Sequence, residues 1–412
     1  MRTHTSALYS APWVLPITSP AIRNGAVAVK DGRIEAVGPV AEIRTEFGGR
    51  ELIKCQGVLM PALVNAHIHL ELSHLTAIRR PAAGQKMCDW IEDLIRARGN
   101  CKLTTEERER YRQQALQDQH RSGVILLADI GNEPYPSIPD LPDFPLVLHF
   151  REFLAPTILA TEAAKTALEG LPDSVAATPH APYSTSPELI RVLKKRARRL
   201  GQVISLHVAE SASEIEFLRS TTGSFRDFLE RRGAWDATFL PGGNDLDGTV
   251  MYLQQLGVLD SKTLCVHCVH ITENEMYLLV EKDAHVCLCP GSNRFLRVGK
   301  APVESMLRHG LLPGLGTDSI ASNKTLDLWR EMRIIREEYP EVDPGEILGM
   351  ATLGGAAALQ CEDDFGSLSP RRRAIFLELY SEEFDRIASG KELLDILTRK
   401  GRPQSVSWIG CR

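Results

Sequence analysis

The sequence lacks any apolar run of the roughly 18–20 residues that would span a bilayer, and it carries no excess of positive charge. Its 48 Lys and Arg stand against 53 Asp and Glu, a net charge of −5, so no basic footprint argues for a nucleic-acid partner. The opening stretch MRTHTSALYS lacks the charged-then-apolar plan of a secretory signal. There is no internal repeat, low-complexity tract or long linker, and no Gly-rich phosphate loop follows the first apolar run. Cysteine is sparse and odd in number, nine in all, with several inside apolar runs such as HVCLCP (285–290). Buried free thiols in a reducing compartment explain that pattern better than a disulfide framework. The expectation is a cytoplasmic protein with neither membrane nor nucleic-acid partners. What is present is ordinary for a globular chain: 43% hydrophobic and 25% charged residues. A length of 412 residues suits two domains, or one large barrel with an accessory unit.

Short apolar runs alternate with amphipathic stretches. Residues 58–66, 123–130, 145–153 and 174–180 predict four buried strands, and 202–208, 263–268, 284–289 and 312–318 predict four more. Between them lie helical patterns such as SPELIRVLKKRARRL (186–200) and TENEMYLLVEK (272–282), each opening on a Ser or Thr suited to cap the first turn. Eight strands alternating with helices is the plan of an α/β protein with a (β/α)8 TIM-like barrel. Ahead of it, GAVAVKDGRIEAVGP (25–39) shows alternation on both sides of an Asp-Gly turn signal, a β-hairpin. Behind it, FGSLSPRRRAIFLELY (365–380) again predicts turn and strand, and KELLDILTRK (391–400) a helix. The expected organisation is a barrel over 58–364, with 1–57 and 365–412 forming one small β-sandwich domain from both termini.

The polar residues concentrate at strand ends, where a barrel of this kind carries its chemistry. In NAHIHLELS (65–73), His67 and His69 are two apart, so on a strand they point the same way and can hold one metal ion. H-x-H also arises by chance as a pair of polar core residues. His207, in SLHVAES (205–211), adds a third imidazole, with Glu210 three residues on; a lone buried His and a solvated acid opening a helix are the plain alternatives. Asp318, in GLGTDSIAS (314–322), ends the last strand and is equally able to cap the helix that follows. Cys265 and Cys268 in LCVHCVHI (264–271), taken with His69–Glu71, spell the motifs of the small zinc deaminases that act on nucleobases. No Pro precedes Cys265, however, and the two motifs lie far apart. The next cysteine pair, Cys287 and Cys289, is C-x-C and does not complete a zinc ribbon.

GRIEAVGP, GVLMPALVNAHIHL, the HVAE run, AHVCLCPGSN and GLGTDSIASN occur in an order that resembles the amidohydrolase superfamily over nearly the whole chain. The resemblance implies a metal-dependent hydrolase whose divalent ion is held by His67, His69, His207 and Asp318. It makes His267 the residue that meets the attacking water, Glu210 and Asp318 the proton carriers, and Cys265 and Cys268 mere strand residues. His270, of opposite strand parity to His267, is expected to be peripheral, and Ser292 and Asn293 to shape a loop. Members with two metals carry a bridging Lys on the third or fourth strand; none occurs in 143–154 or 174–182. One metal is therefore expected, zinc first, with iron or manganese open because His/Asp ligation does not fix identity.

The H-x-x-E of His207 and Glu210 resembles the deaminase and chlorohydrolase branch. TPHAPYSTS (178–186) is similar to S-adenosylhomocysteine/methylthioadenosine deaminases, which assigns His180 to substrate contact. HLELSHL and HFREFL resemble the 6-aminodeoxyfutalosine deaminases of menaquinone biosynthesis, which would put Glu71 and Arg151 in the pocket, with Arg151 against a substrate carboxylate. An ordinary Arg151–Glu152 ion pair at the barrel rim is the alternative. The expected partner is a small nucleoside-like molecule, and the family implies a homodimer. A chlorotriazine, cytosine or guanine-like ring, and a non-catalytic metal-binding barrel, are the competing functions.

Overall fold

The computed structural model describes residues 6–133, 144–236 and 248–410. Five strands open the chain: β1 (Ser6–Val14), β2 (Ile22–Lys30), β3 (Arg33–Pro39), β4 (Glu51–Lys54) and β5 (Val58–Pro61). Eight follow with helices between them: β6 (Leu63–Ile68), β7 (Val124–Gly131), β8 (Leu146–Phe153), β9 (Ala176–Pro179), β10 (Ile204–Val208), β11 (Thr263–His267), β12 (His285–Leu288) and β13 (Gly314–Leu315). The last two are β14 (Phe376–Tyr380) and β15 (Ser405–Ile409).

The terminal strands form one seven-stranded sheet in the order β15-β14-β5-β1-β2-β3, with β4 parallel to β1. Its hairpin is set by Asp31 and Gly32, both at positive φ, as the two-residue turn between β2 and β3 requires. Period-two alternation then buries Val27 and Val29 on one face of the sheet and Ala26 and Ala28 on the other. The apolar run 58–66, expected as a single barrel strand, is divided. Val58–Pro61 pairs with β1 and β14 in the terminal sheet, and the barrel begins at Leu63, whose N–H donates to Gly123. Both halves are fully buried, so hydrophobicity alone could not show the change of partner.

Two parallel four-stranded arcs, β6 to β9 and β10 to β13, make the barrel. Few hydrogen bonds join them, but both seams are bonded. His207 N–H donates to the His180 carbonyl at 2.9 Å, and the N–H groups of Thr317 and Asp318 donate to the His67 carbonyl at 2.9 and 3.1 Å. Strands β6, β7, β10 and β11 are buried on both faces, which is why they read as continuous apolar runs. The helix Pro187–Leu200 starts at the Ser186 cap and stops at Gly201 in the left-handed region, and Glu273–Glu281 starts at a Thr272–Glu275 capping box. Among the described residues no helix is long and apolar enough to cross a membrane.

Candidate active site

The residues singled out from the sequence meet at the C-terminal ends of the barrel strands. The imidazole Nε2 atoms of His67 and His69 are 3.1 Å apart, and Asp318 Oδ1 lies 3.9 Å from the first and 3.6 Å from the second. His207 Nδ1 donates to the His180 carbonyl at 2.8 Å, which leaves Nε2 as a lone pair. Ligand atoms of His67, His207 and His267 fall within 4.8 Å of one another, as do those of His67, His69 and Asp318. No cysteine joins these groups among the described residues, and the eight described cysteines are free thiols.

The electrostatics suit a cation. Burial lowers the pKa of His67, reinforced by His69, His207 and His267, and burial brings His180 and His207 down to about 3. Neutral imidazoles are the form that ligates. Burial alone would raise Asp318, but His69, His267, His207 and the Ser292 hydroxyl bring it down to about 2. Its Oδ2 accepts from Ser292 Oγ at 2.5 Å and Ser322 Oγ at 2.8 Å, so Oδ1 is the oxygen turned to the histidines. The helix that follows is capped by Asp327, not Asp318. The Nε2 atoms of His67 and His69 converging on one carboxylate oxygen, with His207 beside them, form a donor set that fits a divalent ion.

Glu210 is 3% exposed and lies 3.5 Å from His267 Nε2. Burial, then the charges of Asp318 and Glu214, push its pKa well above the usual carboxylate range. The solvated-acid alternative fails, because Ser211 is the residue that caps the helix Ala212–Ser220. Glu214 holds the turn, accepting the N–H of Ala209 at 2.8 Å and of Glu210 at 2.9 Å. Ala209, His267 and Asp318 all sit at positive φ, 50°, 72° and 55°. For non-glycine residues this conformation is costly, and it is concentrated here at the ends of β10, β11 and β13.

His267 Nδ1 meets the Asn293 amide oxygen at 2.9 Å, which assigns the proton to Nδ1 and turns Nε2 to the site. Ser292 and Asn293, expected to shape a loop, therefore orient Asp318 and His267. Glu331 holds their segment, accepting from the Gly291 N–H and from Asn323. Nothing in the sequence marks Glu214 and Glu331, because an acid on an amphipathic helix ordinarily faces water. Burial raises both to about 7. His270 bonds the Val298 carbonyl at 2.7 Å, away from the cluster.

A cavity of about 390 Å³ opens over this cluster. Glu71 and His180 line it, with apolar walls from Leu72, Met87, Trp90, Leu94, Phe228 and Leu229. Arg151 does not line it, which corrects the expected contact. Neighbouring residues on a strand face opposite ways, so Glu152 turns inward while the Arg151 guanidinium lies 5.9 Å from the Phe153 ring. The alternative ion pair is not formed either: Glu152 is held by Asn132 Nδ2 at 2.8 Å. Arg98 and Arg232 are the cationic side chains on the wall, and Arg98 reaches Glu71 at 3.3 Å.

Gly316 is the glycine on which the site depends. A Cβ there would lie 2.8 Å from both Cβ and O of His67 and 2.9 Å from Cys287 Sγ. Gly316→Ala should cost about 1–3 kcal/mol of stability and displace His67. A melting curve and the metal content after dialysis check this; an unchanged Tm with full metal would show that the contact relaxes freely.

The model of the Amidohydrolase family matches residues 58–381, and that of an imidazolonepropionase-like composite domain matches residues 25–49. A 5-methylthioadenosine/S-adenosylhomocysteine deaminase of Moorella thermoacetica is 30% identical over 383 residues, covering 88% of this chain and 82% of that one. An aminofutalosine deaminase of Helicobacter pylori, solved with methylthio-coformycin, superimposes with a TM-score of 0.79 at 23% identity, covering 97% of each chain. An adenosine deaminase of Xanthomonas campestris with bound zinc gives 0.73 at 24% identity, covering 97% of this chain and 90% of that one.

Proposed function

The chain belongs to the amidohydrolase family, and from that premise we infer that it is a metal-dependent hydrolase of carbon–nitrogen bonds that deaminates an adenine-containing nucleoside. The observation that carries this is Glu210, a buried carboxyl whose pKa is raised by its burial, beside His267 and Asp318. A metal-binding scaffold has no use for such a proton donor. The name of the Moorella relative supports the adenine class. Within it, 6-aminodeoxyfutalosine in menaquinone biosynthesis is the finer reading, supported by HLELSHL and HFREFL. With Arg151 off the wall, Arg98 and Arg232 are the cations available to an acidic substrate tail. Free thiols and the absence of a spanning helix among the described residues accord with a cytoplasmic site of action.

His67, His69, His207 and Asp318 would hold one divalent ion, zinc in preference to iron or manganese. Such an ion would supply hydroxide near neutrality by lowering the pKa of a water to about 7. Asp318 Oδ1, anionic and free of the serine hydrogen bonds, accepts the proton of the attacking water. His267 Nε2 orients that water through its lone pair. Glu210 delivers its proton to a ring nitrogen, which makes the carbon electrophilic; the proton that Asp318 took from the water then leaves with the departing amine, and the adduct hydroxyl's proton restores Glu210.

Turnover of the metal-loaded protein on 6-aminodeoxyfutalosine, methylthioadenosine, S-adenosylhomocysteine and adenosine tests this, read by the ultraviolet change from adenine to hypoxanthine. Rapid turnover of the first alone is the expected result. Preference for a thioether nucleoside would replace the finer reading, and silence on all four with metal bound would sink the adenine class.

A further inference from the structure

This inference rests on the nucleoside-deaminase reading and concerns how the sugar is held. Glu152 is 5% exposed and lines the cavity. Its Oε2 accepts from Asn132 Nδ2, but its Oε1 is buried with no hydrogen-bond partner. A buried carboxylate oxygen left without a donor is costly, and in a binding cavity the missing donor belongs to what enters it. The protein groups nearby are engaged elsewhere. Asn132 and Glu133 give their backbone N–H groups to Glu71 Oε2, and Arg98 is turned to Asn132 Oδ1 and Glu71.

A second cation is the obvious competitor, since ligand atoms of His69, Glu152 and His207 lie within 4.8 Å of one another. It lacks ligands. His207 Nδ1 already donates to the His180 carbonyl, and His69 Nε2 faces His67 and Asp318. Those nitrogens serve the first ion and leave Glu152 alone. A substrate donor group fits instead. The reacting carbon must sit at Glu210, His267 and Asp318, which engage the base's amine, and Glu152 is not one of those three. Glu152 shares its stretch of wall with Asn132, Glu71 and Arg98, while most of the remaining wall is apolar. The donor it can meet lies on the part of the nucleoside beyond the ring.

We propose that Glu152 accepts a hydrogen bond from a ribose hydroxyl of the bound nucleoside and makes the enzyme selective for ribonucleosides over their deoxy counterparts. The contact is a hydrogen bond to a buried carboxylate, for which removal of either partner costs about 10- to 100-fold in kcat/KM.

The test takes the best adenine nucleoside of the panel together with its 2′-deoxy and 3′-deoxy derivatives, assayed on wild type, Glu152→Gln and Glu152→Asp. Wild type should lose about 10- to 100-fold on one deoxy derivative. Both variants should lose as much on the parent nucleoside, become indifferent to that hydroxyl, and keep their metal. Equal wild-type rates on all three compounds would overturn the assignment, as would a Glu152→Gln enzyme that still discriminates. Metal loss in the variants would overturn it in favour of ligation. Should Glu152→Gln fail to fold, Glu152→Asp, which keeps the charge and withdraws the oxygen, decides. A wild type that turns over no adenine nucleoside fails the reading beneath, and this assignment with it. Turnover without hydroxyl dependence fails this assignment alone.

Discussion

Glu210→Gln should lower turnover by about 10²- to 10⁴-fold while leaving metal content and the melting curve close to wild type. The substitution keeps the side chain's shape and the two backbone N–H bonds that Glu214 accepts from Ala209 and Glu210. It removes only the transferable proton. The pH profile separates this role from a packing role. Burial, Asp318 and Glu214 raise the pKa of Glu210 well above its usual value, so the acid form persists to higher pH than in a free carboxyl. Activity that needs the acid should therefore be present below that pKa and lost as pH rises through it. In the variant no such alkaline limb remains, because an amide has nothing to titrate. Residual activity with an unchanged alkaline limb would place the acid elsewhere, and wild-type turnover would return the protein to the scaffold alternative.

The parts legible in the sequence were those written in local periodicity. Six of the eight barrel strands lie within a residue or two of their apolar runs, since a strand buried on both faces must be apolar throughout. The division of 58–66 was not legible, because its two halves differ only in which strand they pair with. The same limit separates Arg151 from Glu152. Alternation says that they face opposite ways, but only barrel closure says which of them faces in. Glu214, Glu331, Ser292 and Asn293 carry no periodic signal at all. They act through hydrogen bonds to residues that tertiary structure brings close, as when Ser292 on the segment after β12 meets Asp318 after β13. The C-x-x-C of Cys265 and Cys268, set aside as a metal site in the sequence because no Pro precedes it and H-x-E lies far away, has both thiols buried in the core.

Asp318→Asn should lose both metal and turnover, where Glu210→Gln loses turnover alone. The substitution removes the anion that faces both His67 and His69, and an amide presents a single acceptor oxygen to hydroxyls of Ser292 and Ser322 that now occupy Oδ2. If that oxygen stays with the serines, the amino group turns to His67 and His69 and repels the ion they would share. If it turns to the histidines, two buried hydroxyls lose their acceptor. Disturbing a residue that orients a ligand typically costs about 10- to 100-fold in metal affinity, and replacing the charged ligand should cost at least that. Ser292→Ala and Ser322→Ala mark the lower bound, each loosening the carboxylate while keeping its charge. Metal content after dialysis, measured beside turnover at saturating metal, distinguishes the two functions of Asp318. Activity restored by excess metal would make it a ligand only. Activity absent even when the metal is restored is the expected result, and assigns it the water's proton as well. Full metal and full activity would leave the carboxylate a structural anchor for two serines and remove it from the chemistry.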